Sequence, residues 1–133
     1  MHVSAALLAN QAAVGADGLL NVAGAGWEYI QAPGPVFTLN GYVAGIIEFG
    51  DDELPAARMV QLAVEDEVGA DAGYRGSFAI VTSRRLAPFA IPFTVGVFEL
   101  PEGAARRFVL SDEDGGPLYE TRLPVRPPLV DEA

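Results

Sequence analysis

From Phe89 to Val97 every second side chain is large and apolar. Phe89, Ile91, Phe93, Val95 and Val97 fall on one side of an extended chain, and Ala90, Pro92, Thr94 and Gly96 fall on the other. A period of two is the mark of a strand with one face on a core. Pro92 has no N–H to give to a ladder, which places this strand, residues 89–100, at a sheet edge or a bulge. The same alternation puts Val60, Leu62 and Val64 inward against Gln61 and Glu65, and Phe78 with Ile80 inward on the next strand. Near the end of the chain Tyr119, Thr121, Leu123 and Val125 face in, while Glu120 and Arg122 face water. Earlier strands are predicted over residues 3–8, 19–23 and 27–30. Residues 37–49 are long for one strand, and Gly41 and Gly45 predict a bend there that carries the chain from one sheet to the other. Turn residues punctuate these segments, and no stretch holds a helical period. The expectation is an all-β protein: an antiparallel β-sandwich of about nine strands with immunoglobulin-like or related topology.

A chain of 133 residues is one domain by length. The reading assigns residues 1–126 to a single sandwich and residues 127–133 to a short extended tail, where Pro127 and Pro128 end strand pairing and Asp131 and Glu132 give an acidic tip. The first residues are apolar and rich in Ala, but they lack the basic flank and the length of a secretory leader, so they read as a first strand. The long uncharged stretch 29–47 is broken by Pro33, Gly34, Pro35 and Asn40, which a bilayer-spanning helix would not tolerate.

Charge and inventory then remove whole classes of chemistry. The chain has no Cys, which excludes disulfides, thiolate nucleophiles and Cys-ligated zinc; a reducing cytoplasmic setting fits. All eight basic residues are Arg, and the net charge is −10 at pH 7. Such a chain repels both a phosphate backbone and an anionic leaflet, so nucleic acid and membrane are not expected partners.

The opening Ala5, Leu7, Leu8 and Ala9, the run Asp17, Gly18, Leu19, Leu20, Asn21 and Val22, and Gly24-Ala25-Gly26-Trp27 resemble a family of small bacterial proteins, a β-sandwich domain of unknown function. The close of the chain, from Arg107-Phe108 through Asp114-Gly115 to Leu123-Pro124-Val125, is similar to the closing hairpin of that family. The resemblance implies the β-sandwich fold and brings no substrate, cofactor or catalytic residue with it. The chain departs from the family pattern at residues 106 and 107 and in its Asp51-Asp52-Glu53 loop.

Candidate chemistry is sparse. The single His, His2, sits beside the first residue, where no fixed Ser-His or Cys-His pair can form. Glu28, Glu48, Glu99 and Glu120 stand at outward or strand-end positions, which favours solvated carboxylates over tuned acids. Gly24-Ala25-Gly26 lacks the third Gly and the helix of a dinucleotide loop and reads as a Gly-rich turn. The acidic loops are the one cluster with positional content. Alternating strand direction brings Asp51, Asp52, Glu53, Asp112, Glu113 and Asp114 to one end, near Arg84 and Arg85. Convergent carboxylates make calcium cages, with Asp51, Asp52, Asp112 and Asp114 as the weak metal candidates here; ordinary Asp- and Gly-rich turns are the favoured reading, and no cofactor is expected.

The expected function is therefore non-enzymatic: a structural or protein-interaction module that acts by self-association or by binding another protein. The alternative is a ligand-binding sandwich that uses its acidic end loops for calcium or a small molecule. The interface candidates are Phe89, Thr94 and Phe98 on the proline-bearing strand, which carries no charge before Glu99, and Trp27, which shares a strand face with Tyr29. Residues 123–130 would be the internal cover for that edge if no partner took it.

Overall fold

The computed structural model describes residues 1–34, 36–66, 71–98 and 105–128, with Asp71, Ala72, Val97 and Phe98 described by their backbone only. Among these are nine strands: β1 (His2–Val14), β2 (Leu20–Ala25), β3 (Ile30–Gln31), β4 (Val36–Glu48), β5 (Ala56–Glu65), β6 (Asp71–Thr82), β7 (Leu86–Phe98), β8 (Ala105–Asp112) and β9 (Pro117–Arg126). The only helical element among the described residues is one 3-10 turn, Asp51–Glu53. The fold is all-β and sandwich-like, with a four-stranded sheet in the order β2-β1-β4-β7 and a five-stranded sheet in the order β3-β9-β8-β5-β6. Every pairing is antiparallel except the two-residue match of β3 with β9.

The core lies between the sheets and comes from the alternating positions. Val60, Leu62 and Val64 of β5, Phe108 and Leu110 of β8, and Leu123 and Val125 of β9 meet Val43 and Ile47 of β4 and Phe89, Ile91, Phe93 and Val95 of β7. Phe93 and Phe108 touch across the layer with ring centroids 5.0 Å apart. No charged or polar side chain is buried among the described residues, so apolar area removed from water carries this core.

Three expectations are corrected. Residues 37–49 do not pass between sheets: β4 stays paired with β7 from Val36↔Phe98 to Glu48↔Leu86 without a register break. Its glycines mark close approaches instead. A side chain at Gly45 would run into the Ala5 carbonyl, beside the bulge where β1 shifts register between Val3 and Ala5. A side chain at Gly41 would meet Trp27 and Phe93. The strand predicted at 27–30 shrinks to Ile30–Gln31, because the Trp27 indole N–H turns back to donate to the Gly24 carbonyl at 2.9 Å. β1 continues past the apolar run through Asn10, Gln11, Ala12, Ala13 and Val14, a stretch whose weak hydrophobicity hid it, and there it pairs with β2 as an exposed hairpin.

Candidate functional site

Sheet ends are where this fold leaves backbone groups without partners. β7 is one such end, as Pro92 predicted. The position of the proline sets the phase of the ladder. Pro92 cannot donate to Tyr42, so Tyr42↔Pro92 is a non-hydrogen-bonded pair and the backbone of Pro92 faces away from β4. Pro88, four residues earlier, has the same phase. Both prolines therefore stand where an incoming strand would need an N–H, and neither has one.

The Pro92 carbonyl is also taken: the Tyr74 hydroxyl of β6 donates to it at 2.8 Å, and β6 lies alongside β7 where the two sheets meet. The expected cover, residues 123–130, goes elsewhere over its described part, since β9 is paired between β3 and β8.

The interface candidates on this strand divide accordingly. Phe89 is 3% exposed and belongs to the core. Thr94 is exposed on the outer face and its hydroxyl donates to Asn40 Oδ1 at 2.9 Å. The side chain of Phe98 lies outside the described residues, as does Glu99.

The other end of the sheet is β2. From Leu20 to Ala25 it carries no charge and no proline, and the whole hairpin from Asn10 to Ala25 holds one charged residue, Asp17 at its turn. The Gly15 N–H donates to the Leu19 carbonyl at 2.9 Å. With Gly15 and Leu19 bonded, Asn21 faces β1 in its turn, and Leu20 and Val22 direct their N–H and C=O groups outward. Val22 is 43% exposed and Leu19 58%. β2 thus offers what β7 withholds, two consecutive outward donor–acceptor sites on an apolar, uncharged strand.

Trp27 fixes the far end of that strand. Gly24 has a positive φ of 62°, a conformation that suits glycine, and a side chain there would collide with Asn10. The indole closes over the resulting corner and stacks edge-on against Phe93 at 6.2 Å between centroids. β1 and β4 pair only as far as Ala9↔Tyr42. Beyond that point they part, and an open cleft of about 610 Å³ remains, lined by Asn10, Trp27, Glu28, Tyr29, Gln31 and Leu39. Arg126 lies over the Tyr29 ring at 3.6 Å. Trp27 is thus half-buried between core and cleft and does not share a strand with Tyr29.

The acidic loops do share one end, and basic groups are threaded through them. Arg58 donates to Glu113 at 3.0 Å and stands 4.0 Å from Glu53. Arg85 is 4.0 Å from Glu48, whereas Arg84 reaches the Gly18 carbonyl instead. Arg58 escaped the sequence reading because it sits within β5 and not in a loop. The amino group of Met1 donates to both Glu53 oxygens, at 2.6 and 2.7 Å. That ammonium first, and the Gly50 N–H second, hold the Glu53 carboxyl below its ordinary range. Asp112 Oδ1 accepts the Asp114 and Gly116 N–H groups at 2.9 and 2.7 Å, as a turn-forming Asp does. Asp51, Asp52 and Asp114 are exposed. Among the described residues no three metal-ligating side chains stand close enough to share an ion.

Of the remaining carboxylates, Glu48 is bound by Ser4 and His2, each at 3.2 Å, Glu120 pairs with Arg107 at 3.2 Å, and Glu28 is exposed. No helix among the described residues is long and apolar enough to cross a membrane. No protein-family model matches the chain, and no curated protein matches it.

Proposed function

We propose that this chain is a non-enzymatic interaction module that works by strand addition at β2, on a frame related to the immunoglobulin-like sandwiches. One observation carries the reading: of the two ends of the four-stranded sheet, β7 is blocked by Pro88, Pro92 and Tyr74, while β2 keeps the outward backbone groups of Leu20 and Val22 on an uncharged strand. Monomeric sheet proteins guard such ends with charge, proline or a bulge. Strand addition supplies affinity through main-chain hydrogen bonds and selectivity through alternate side chains. A protein partner is favoured over nucleic acid or an anionic membrane by the net charge of −10.

The test is Val22→Pro. Val22 lies opposite Ala12 in a non-bonded pair, so the substitution deletes only an outward N–H and leaves the β1–β2 ladder whole. Assemblies larger than the 14.0 kDa chain should form with the parent protein and be lost in the variant at unchanged thermal stability. Equal assembly by both proteins would remove β2 from the account.

A further inference from the structure

We infer that the strand which adds to β2 is the β2 of a second copy, paired antiparallel about a two-fold axis through Asn21. The inference rests on the strand-addition reading and names its partner.

Backbone phase selects the register. Only Leu20 and Val22 face outward on this part of the strand, and two outward residues from each copy make two hydrogen-bonded pairs in one arrangement: Leu20 against Val22 of the partner subunit, and Val22 against Leu20 of the partner subunit. An axis through Val22 would bring Leu20 opposite Gly24 of the partner subunit, and Gly24 already gives its carbonyl to the Trp27 indole.

Side chains agree with the backbone. In the selected register the cross-strand neighbours are Leu with Val on one face and Leu19 with Ala23 on the other, apolar pairs of the kind that stabilise sheets. Asn21 meets its own copy on the axis; its Nδ2 already donates to the Leu19 carbonyl at 3.3 Å, which leaves Oδ1 and the second amide N–H to exchange hydrogen bonds with the other copy. No charged residue is placed opposite another, so the seam is a neutral strip on a protein of net charge −10.

Because the contact is isologous it closes: each copy uses its only free β2, and the two four-stranded sheets become one continuous sheet of eight strands that ends at β7 on both sides. Two six-residue strands make a small seam, in the class below roughly 1,200 Å² that weak, transient interfaces occupy, so the dimer is reversible and concentration-dependent. Salt screens the repulsion between the two acidic bodies, so the dimer tightens as salt rises.

The absence of native Cys makes the test clean. Residues on the axis of a non-hydrogen-bonded pair have Cα atoms about 4.5 Å apart, within disulfide range. Asn21→Cys should convert to a covalent dimer under mild oxidation, faster at high salt. Ala23→Cys should not, since its own copy lies four residues along the strand, roughly 13 Å away. Equal cross-linking at both positions, or none at Asn21→Cys, would overturn the register and the self-pairing. If Asn21→Cys fails to cross-link while the parent protein still forms Val22→Pro-sensitive assemblies, the β2-to-β2 pairing falls and strand addition stands with another segment of the second copy as the added strand. If no such assemblies form either, both readings fall.

Discussion

Trp27 stands on Gly41: the outer edge of its indole comes within 2.6 Å of the point where a Cβ on residue 41 would sit. Phe93 and the Ala9 carbonyl crowd the same point at 3.0 and 3.1 Å. The indole is the nearest of the three neighbours that leave room only for a glycine, and this contact closes the point at which β1 and β4 part.

Gly41→Ala should therefore destabilise the fold by about 1–3 kcal/mol, the ordinary cost of overpacking. Trp27→Ala should cost up to about 3 kcal/mol, the lower end for a buried Trp, since this one is half-buried. The double variant should cost less than the two together by more than about 0.5 kcal/mol, because the clash leaves with the ring. Urea unfolding of the three variants measures this; strict additivity would mean that Gly41 answers to Phe93 or the backbone instead.

The Glu53 ion pair should give stability a slope in acid. Its folded carboxyl titrates below the ordinary 4.5, so the contribution is present above that value and is lost as pH falls through the lower folded one. Urea midpoints between about pH 6 and pH 3 should drop less steeply for Glu53→Gln than for the parent chain. An N-terminal extension, which replaces the Met1 ammonium with an amide, should flatten the profile in the same direction.

Tyr74→Phe should remove the hydroxyl that caps Pro92 and cost about 1 kcal/mol. Burial raises the Tyr74 hydroxyl above its ordinary 10.0, so its contribution is whole below that pH and fades as pH rises through the folded value. The variant should lose that alkaline slope in thermal melts. An unchanged melting temperature at neutral pH would show the hydrogen bond to be replaced by water at no cost.

Replacing Pro88 and Pro92 together with Thr should return two outward N–H groups to β7 and open the second end of the sheet. With both ends available, association should become open-ended, so light scattering should show a broad distribution of masses in place of a closed species. A distribution identical to that of the parent chain would show that Tyr74 alone guards the edge.

The sequence made the inward faces of β5, β7 and β9 legible, because Val60, Leu62, Phe89, Ile91, Leu123 and Val125 alternate with polar or small residues and tertiary packing follows that period. Pro92 made the edge legible as well. The guard on that edge was harder to see, since it depends on Pro88 and Pro92 sharing a phase and on a hydroxyl from another strand. The exposed half of the β1–β2 hairpin was nearly invisible: Asn10, Gln11, Ala12 and Ala13 bury little, so no hydrophobic alternation announces them. Gly41 and Gly45 were visible as punctuation, but a glycine that bends a strand and one that admits a neighbour look alike until the neighbour is known.

The corner at Gly24 also gives the molecule a built-in optical gauge. Trp27 is its single tryptophan, and the indole N–H is held by a carbonyl at the end of β2, beside the proposed seam. Emission from that ring should shift as the strand next to it exchanges water for another chain. Titrating the unlabelled protein against its own concentration would then read the state of the edge in light, without a probe being attached.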